Sequence, residues 1–310
     1  MRKIIIALLG IISYFQAFAQ QDAQYTQYMY NTIIINPAYT GSRDVLSLSG
    51  LHRAQWVGLD GAPVSSTFSA HSPVSKRIGL GVSVLNDEIG NGTVQETYFD
   101  AVASYTIPVS DQGKLSFGLK AGGQFFNLDF SRLQNFSPGV TGSPPNIDNR
   151  FSPNFGVGLY YYSDRFYTGL SVPNLLETEH FENNDGSSSF VTQERLNYYL
   201  ITGYVFDLNP NLKFKPAGLV KSVSGAPLQV DVSANFLFQE TFSLGIAYRW
   251  SAAVSALMGF QVTDQIMLGV SYDSEITDLG ATTFNDGSFE LFLRFDFLTN
   301  YKRVVTPRFF

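Results

Sequence analysis

Three histidines, His52, His71 and His180, and the absence of any cysteine bound the chemistry open to this chain. Without cysteine there is no thiol nucleophile, no thiolate metal site and no disulfide. A serine hydrolase needs a histidine beside its serine and a third group to orient the imidazole. His71-Ser72 is the only adjacent pair of that kind. Neighbours on a strand point to opposite faces, so these two cannot form a dyad directly. The run Glu182-Asn183-Asn184-Asp185-Gly186 offers oxygens, but not at the regular spacing of a calcium loop, and reads as a solvated external loop. The chain therefore presents no catalytic, cofactor or metal constellation and is expected not to be an enzyme. With 20 basic and 26 acidic residues it carries no nucleic-acid footprint either.

The elements that would position these residues are strands. In the closing run, Phe289, Leu291, Leu293, Phe295 and Phe297 alternate with Glu290, Phe292, Arg294 and Asp296. A strand has a side-chain period of two, so one face is apolar and the other mostly charged, the pattern of a strand between lipid and a wet lumen. Fourteen such runs can be followed from Val45–Trp56 to the closing Phe289–Leu298. The long connections, Asn127–Asn154, Pro173–Gln193 and Ser274–Ser288, follow the fifth, seventh and thirteenth runs. All are odd, and the even connections are short. An even barrel with both ends in the periplasm places every odd connection outside, so the expected fold is all-β, a transmembrane up-and-down antiparallel barrel of about 14 strands.

The same phase sorts charge. Arg53, Gln55, Glu96, Asp100, Lys120, Lys213, Lys215, Asp231, Arg249, Glu290, Arg294 and Asp296 fall on the inner side. A lysine or arginine facing lipid at the midplane costs about 2 to 4 kcal/mol, which forces that sorting. Leu293→Lys should then block insertion, and Phe292→Lys should be tolerated in the lumen. Glycines 79, 81, 118, 122, 156, 158, 169, 245, 259 and 269 share the inner phase. They either leave room for a plug or a partner segment, or permit strand curvature. Charged residues at 15%, aromatics at 15% and a mean hydropathy of +0.02 suit a barrel better than a soluble sandwich.

The chain opens with Arg2 and Lys3, an apolar stretch from Ile4 to Ile12, then Ala17-Phe18-Ala19. This is the layout of a signal peptide over residues 1–19. Residues 20–42 are expected to form a periplasmic segment packed at the barrel mouth or a dedicated binding element. Residues 43–298 form the barrel and 299–310 a periplasmic tail with Lys302, Arg303 and Arg308.

One block is more specific. Gln24-Tyr25-Thr26-Gln27-Tyr28-Met29-Tyr30-Asn31, then Asn36-Pro37-Ala38-Tyr39-Thr40-Gly41, resembles the opening of the PorP/SprF family of type IX secretion outer-membrane proteins. Arg53-Ala54-Gln55-Trp56-Val57-Gly58, Gly61-Ala62-Pro63 and Ser69-Ala70-His71-Ser72-Pro73 are similar to its first hairpin. Asn86-Asp87 with Gly90 matches its next loop, and Thr306-Pro307-Arg308-Phe309-Phe310 its ending. The resemblance implies an outer-membrane protein of a Gram-negative bacterium, embedded in lipid, working with type IX periplasmic and outer-membrane components. It also implies a cognate secreted surface protein held through its C-terminal domain, and a link to gliding motility. On that basis the candidate partner-binding or motif residues are Tyr25, Tyr28, Asn36, Pro37, Ala38, Tyr39, Gly41, Arg53, Gln55, Trp56, Gly58, Gly61, Pro63, Asn86, Asp87, Pro307 and Arg308. A diffusion porin and a purely structural membrane anchor are the alternatives.

Overall fold

The structure, a computed structural model, describes residues 23–132, 146–176, 195–224, 226–277, 280, 282 and 285–298. The leader, His180, the acidic run at 182–186 and the tail with Pro307 and Arg308 lie outside them. The described chain is all-β: β1 (Leu46–Ala54), β2 (Val64–Pro73), β3 (Ile78–Ile89), β4 (Val94–Pro108), β5 (Lys114–Leu128), β6 (Ile147–Tyr162) and β7 (Phe166–Val172). Then come β8 (Asn197–Tyr204), β9 (Phe206–Asn209), β10 (Leu212–Val223), β11 (Gln229–Phe238), β12 (Phe242–Arg249), β13 (Ala253–Gln261), β14 (Ile266–Glu275) and β15 (Ser288–Phe297). β8 and β9 pair in tandem with β10 and are one strand interrupted at Val205, so the barrel has fourteen staves. Every neighbouring pair is antiparallel, and β15 closes on β1 from Leu46↔Phe297 to Ala54↔Phe289. Closure leaves no open edge, which lets a sheet cross a membrane with every backbone group paired.

Burial alternates along the staves as the charge sorting requires. On β15, Phe289, Leu291 and Leu293 are exposed on the outer wall, while Glu290, Phe292, Arg294 and Asp296 are buried or nearly so within. Ring contacts mark one interface: Tyr161–Phe166, Phe166–Tyr204, Tyr204–Phe206, Phe206–Phe214 and Phe214–Phe236 follow one another across β6 to β11. All sit beside the short turns. At the opposite end Phe99, Phe125 and Phe151 form a second group. Along β6 the two groups are ten residues apart, Phe151 to Tyr161, roughly 25 Å at the usual strand tilt. Such girdles flank the apolar band of an outer-membrane barrel, whose short turns face the periplasm and whose long loops face outward.

Two boundaries differ from the sequence reading. β3 runs on through Asn86 and Asp87, which pair with Thr97 and Glu96 and are strand rather than loop. β6 begins at Ile147, eight residues before the expected Phe155, because its polar first turns still find a partner in β5. Polar residues beyond the membrane keep strand pairing without the apolar alternation that identifies a strand in sequence.

Candidate functional site

Residues 24–43 run through the lumen, with short 3-10 turns at Thr32–Ile34 and Pro37–Tyr39, and do not stop at the mouth as residues 20–42 were expected to. Their partners come from every side of the barrel. Asn31 Nδ2 donates to Thr67 on β2 at 2.7 Å, and Asn36 Nδ2 to the Leu159 carbonyl on β6 at 3.0 Å. Ser104 on β4 and Ser171 on β7 donate to the carbonyls of Thr40 and Ile35, both at 2.7 Å. Thr26 N and Gln27 N both donate to the Glu290 carboxylate on β15, at 2.6 and 2.9 Å. A segment bonded around the whole circumference occupies its centre.

The sequence folds this way locally for identifiable reasons. Asn36 caps the turn that follows it, its side chain accepting from Ala38 N at 2.9 Å, with Pro37 preset for the first position. Gly41 takes φ 76°, a left-handed conformation that a side chain would strain, and its N–H donates to His71 Nδ1 at 3.1 Å. Tyr28, Met29, Tyr30, Ile33, Ala38 and Tyr39 are buried and make the molecule's apolar core together with inward Phe292, Tyr160, Tyr167 and Leu219. Tyr30 stacks on Phe292 with centroids 5.0 Å apart, and Tyr39 meets Tyr160 edge to face at 5.6 Å. The inner glycines make room for this. A Cβ on Gly118 would strike the Pro37–Ala38 backbone, and one on Gly158 the Asn36 side chain. Of the two readings of those glycines, these positions support a plug, and the plug is the chain itself.

Because the lumen is filled, Phe292 has no exposure at all, and the expected tolerance of lysine there does not hold. A lysine would lose the Tyr30 stack and place an ammonium in a packed interior.

Two ionic clamps hold the ends of the plug. Arg53 Nη1 lies 2.6 Å from Asp273 and 2.7 Å from Glu290, and donates to Thr26 Oγ1 at 3.3 Å. Arg43 contacts Asp296 at 2.6 Å, and Arg294 approaches the same carboxylate at 3.3 Å. Between them Lys215 Nζ sits 3.4 Å from Met29 Sδ and 5.8 Å from the centre of the Tyr30 ring. Asp273 was not singled out in sequence, Asn31 was named only within the family block, and Glu290 and Phe292 were assigned inward without a partner. The available signal was that Glu290, Arg53 and Asp273 are inward charges at strand ends, but which of them share a height depends on register.

The remaining motif residues build the outer rim. Gln55 N donates to Pro63 O at 2.9 Å to close loop 55–63, with Gly58 and Gly61 at φ 100° and 75°. Gly90 N donates to Gly61 O at 2.9 Å, and Trp56 Nε1 to Glu275 at 3.2 Å, joining that loop to its neighbours on both sides. Asp87 turns inward and accepts from Ser65 Oγ. At the base of the loop after β5, the Ser131 hydroxyl holds the Asp129 carboxyl below the usual carboxylate range, and Arg132 reaches Asn91 O at 2.8 Å. Tyr25 is half-buried at the top of the plug.

His71 faces inward onto the plug while the Ser72 hydroxyl bonds the Pro73 carbonyl, so the adjacent pair forms no dyad. His52 does bond Ser66 at 2.9 Å across two strands, but no carboxylate among the described residues orients that ring.

The family of type IX secretion system membrane proteins PorP/SprF matches residues 17–295. The chain belongs to this family. PorP/SprF membership together with the closed fourteen-strand barrel places the protein in the Gram-negative outer membrane, and neither is that of an enzyme class. No curated protein matches the chain. Among solved structures, the chain is similar to the Acinetobacter baumannii outer membrane protein Omp33, at 9% identity and TM-score 0.47, covering 82% of this chain and 98% of that one. A Pseudomonas aeruginosa FadL homologue matches at 14% identity and TM-score 0.45, over 85% and 93%. A mutant of the TodX monoaromatic hydrocarbon channel matches at 9% and 0.49, over 86% and 93%.

Proposed function

We propose that this PorP/SprF-family barrel partners with a large exported protein and helps the type IX machinery bring it to the cell surface and hold it there through its C-terminal domain. The observation that carries the reading is the filled lumen. A wall that spends its inward polar groups on its own N-terminal segment offers no aqueous path, so the barrel acts through its rims. The outward rim has the long connections 129–146 and 173–196, and loops carry binding more often than strands do. The periplasmic rim, with short turns, faces the remaining machinery.

Deleting the gene tests this. One large exported protein should disappear from the cell surface while uptake of small solutes through the outer membrane stays unchanged. Loss of solute uptake with normal surface display would instead establish a diffusion porin. Loss of neither would leave a structural anchor.

A further inference from the structure

The two ends of the plug lie at opposite rims. Arg43 meets Asp296, and Thr40 meets Ser104 and Gly79, all near the short turns and close to where β1 begins. Thr26 meets Asp273 and Glu290, each three residues from the 276–287 connection, and Gln24 accepts from Arg249, the last residue of β12, just before the 250–252 connection. Those two connections belong to the rim that carries the long loops. Intermediate contacts fall in sequence order between the ends: Asn31 with Ser49, Thr67 and Ser69 at mid-height, then Asn36 with Leu159 lower down.

We infer that the plug descends the lumen from outside to inside, so that the N-terminal end of the plug, Ala23 to Tyr25, is presented at the extracellular mouth although the barrel itself begins and ends at the periplasmic rim. The direction follows from heights on the wall and from the orientation set by loop lengths, and is independent of the identity of any cargo. It makes the first residues of the plug part of the outer surface, beside loop 55–63, whose Arg53 flank clamps Thr26. It also puts the end of the plug that begins at Ala23 outside and the end that joins β1 inside. The outer clamp is charge-assisted and uses backbone N–H groups of Thr26 and Gln27, so it recognises chain direction as well as side chains.

The native chain has no cysteine, which allows a direct test in the full-length protein in intact cells. Ala23→Cys, Asp60→Cys in the outer loop and Asp111→Cys in a periplasmic turn are exposed to a membrane-impermeant maleimide before and after permeabilising the outer membrane. Ala23→Cys should label in intact cells to an extent similar to Asp60→Cys, while Asp111→Cys labels only after permeabilisation. A short epitope placed immediately before Ala23 should bind antibody on intact cells. Labelling of Ala23→Cys only after permeabilisation overturns the inference. So does absence of labelling in both states combined with no antibody binding, or exchange of the two control patterns.

Discussion

Arg53 shows how much of this molecule rests on single inward charges. It is almost wholly buried with two carboxylates on one nitrogen, so Arg53→Ala leaves Asp273 and Glu290 facing each other without a counter-charge. Breaking a buried pair in this way costs about 3 to 5 kcal/mol. The folded, heat-modifiable band of the purified barrel should therefore unfold at a distinctly lower temperature, and Arg53→Lys should recover part of the difference; an unchanged midpoint would mean the cluster is not desolvated. At Phe292 and Leu293, one residue apart, lysine should fail for two separate reasons. Leu293→Lys puts an ammonium into lipid, and Phe292→Lys puts one against Tyr30. Refolding yields into vesicles should fall for both. Adding Tyr30→Ala should improve only Phe292→Lys, because the two residues share a contact and their effects are coupled.

At the scale of the element, the plug and the wall are matched by volume. Gly118 on β5 and Gly158 on β6 face each other in register and both abut the turn at Asn36 to Ala38. Gly118→Leu cannot keep that turn where it is. In planar bilayers the native protein should show no stable open channel, and Gly118→Leu should show intermittent conductance with the barrel still folded on a gel. A large steady conductance of the native protein would show that the plug does not seal. The aromatic girdle argues at the same scale, since its rings come from successive strands and hold one height, which sets where lipid begins.

For the whole molecule, orientation is the property on which the rest depends. Protease added to intact cells should cut within 129–146 or 173–196 and spare 109–113 and 210–211. The reverse pattern would invert the barrel, moving both the proposed partner surface and the outer end of the plug to the wrong side. The ionic clamps do not set this orientation, because each is buried among groups of the barrel itself. Loop length sets it.

The sequence by itself determined the fold class, the number of staves and the inner or outer face of nearly every strand residue. These depend on a local period of two and on the cost of placing charge in lipid, both legible one residue at a time. It also marked the family through the block from Gln24 to Gly41. What only the tertiary structure decided is where that block goes. A segment with four tyrosines, two asparagines and a proline has no lipid to face and no strand to join, so its own pattern is silent about location. Its place follows from inward serines, glycines and carboxylates contributed by strands as far apart in sequence as β1 and β15, which surround one lumen only when the barrel closes. The same closure turned Phe292 from an inward-facing residue expected to touch water into a fully enclosed aromatic of the core, because Tyr30 stacks where that water was expected.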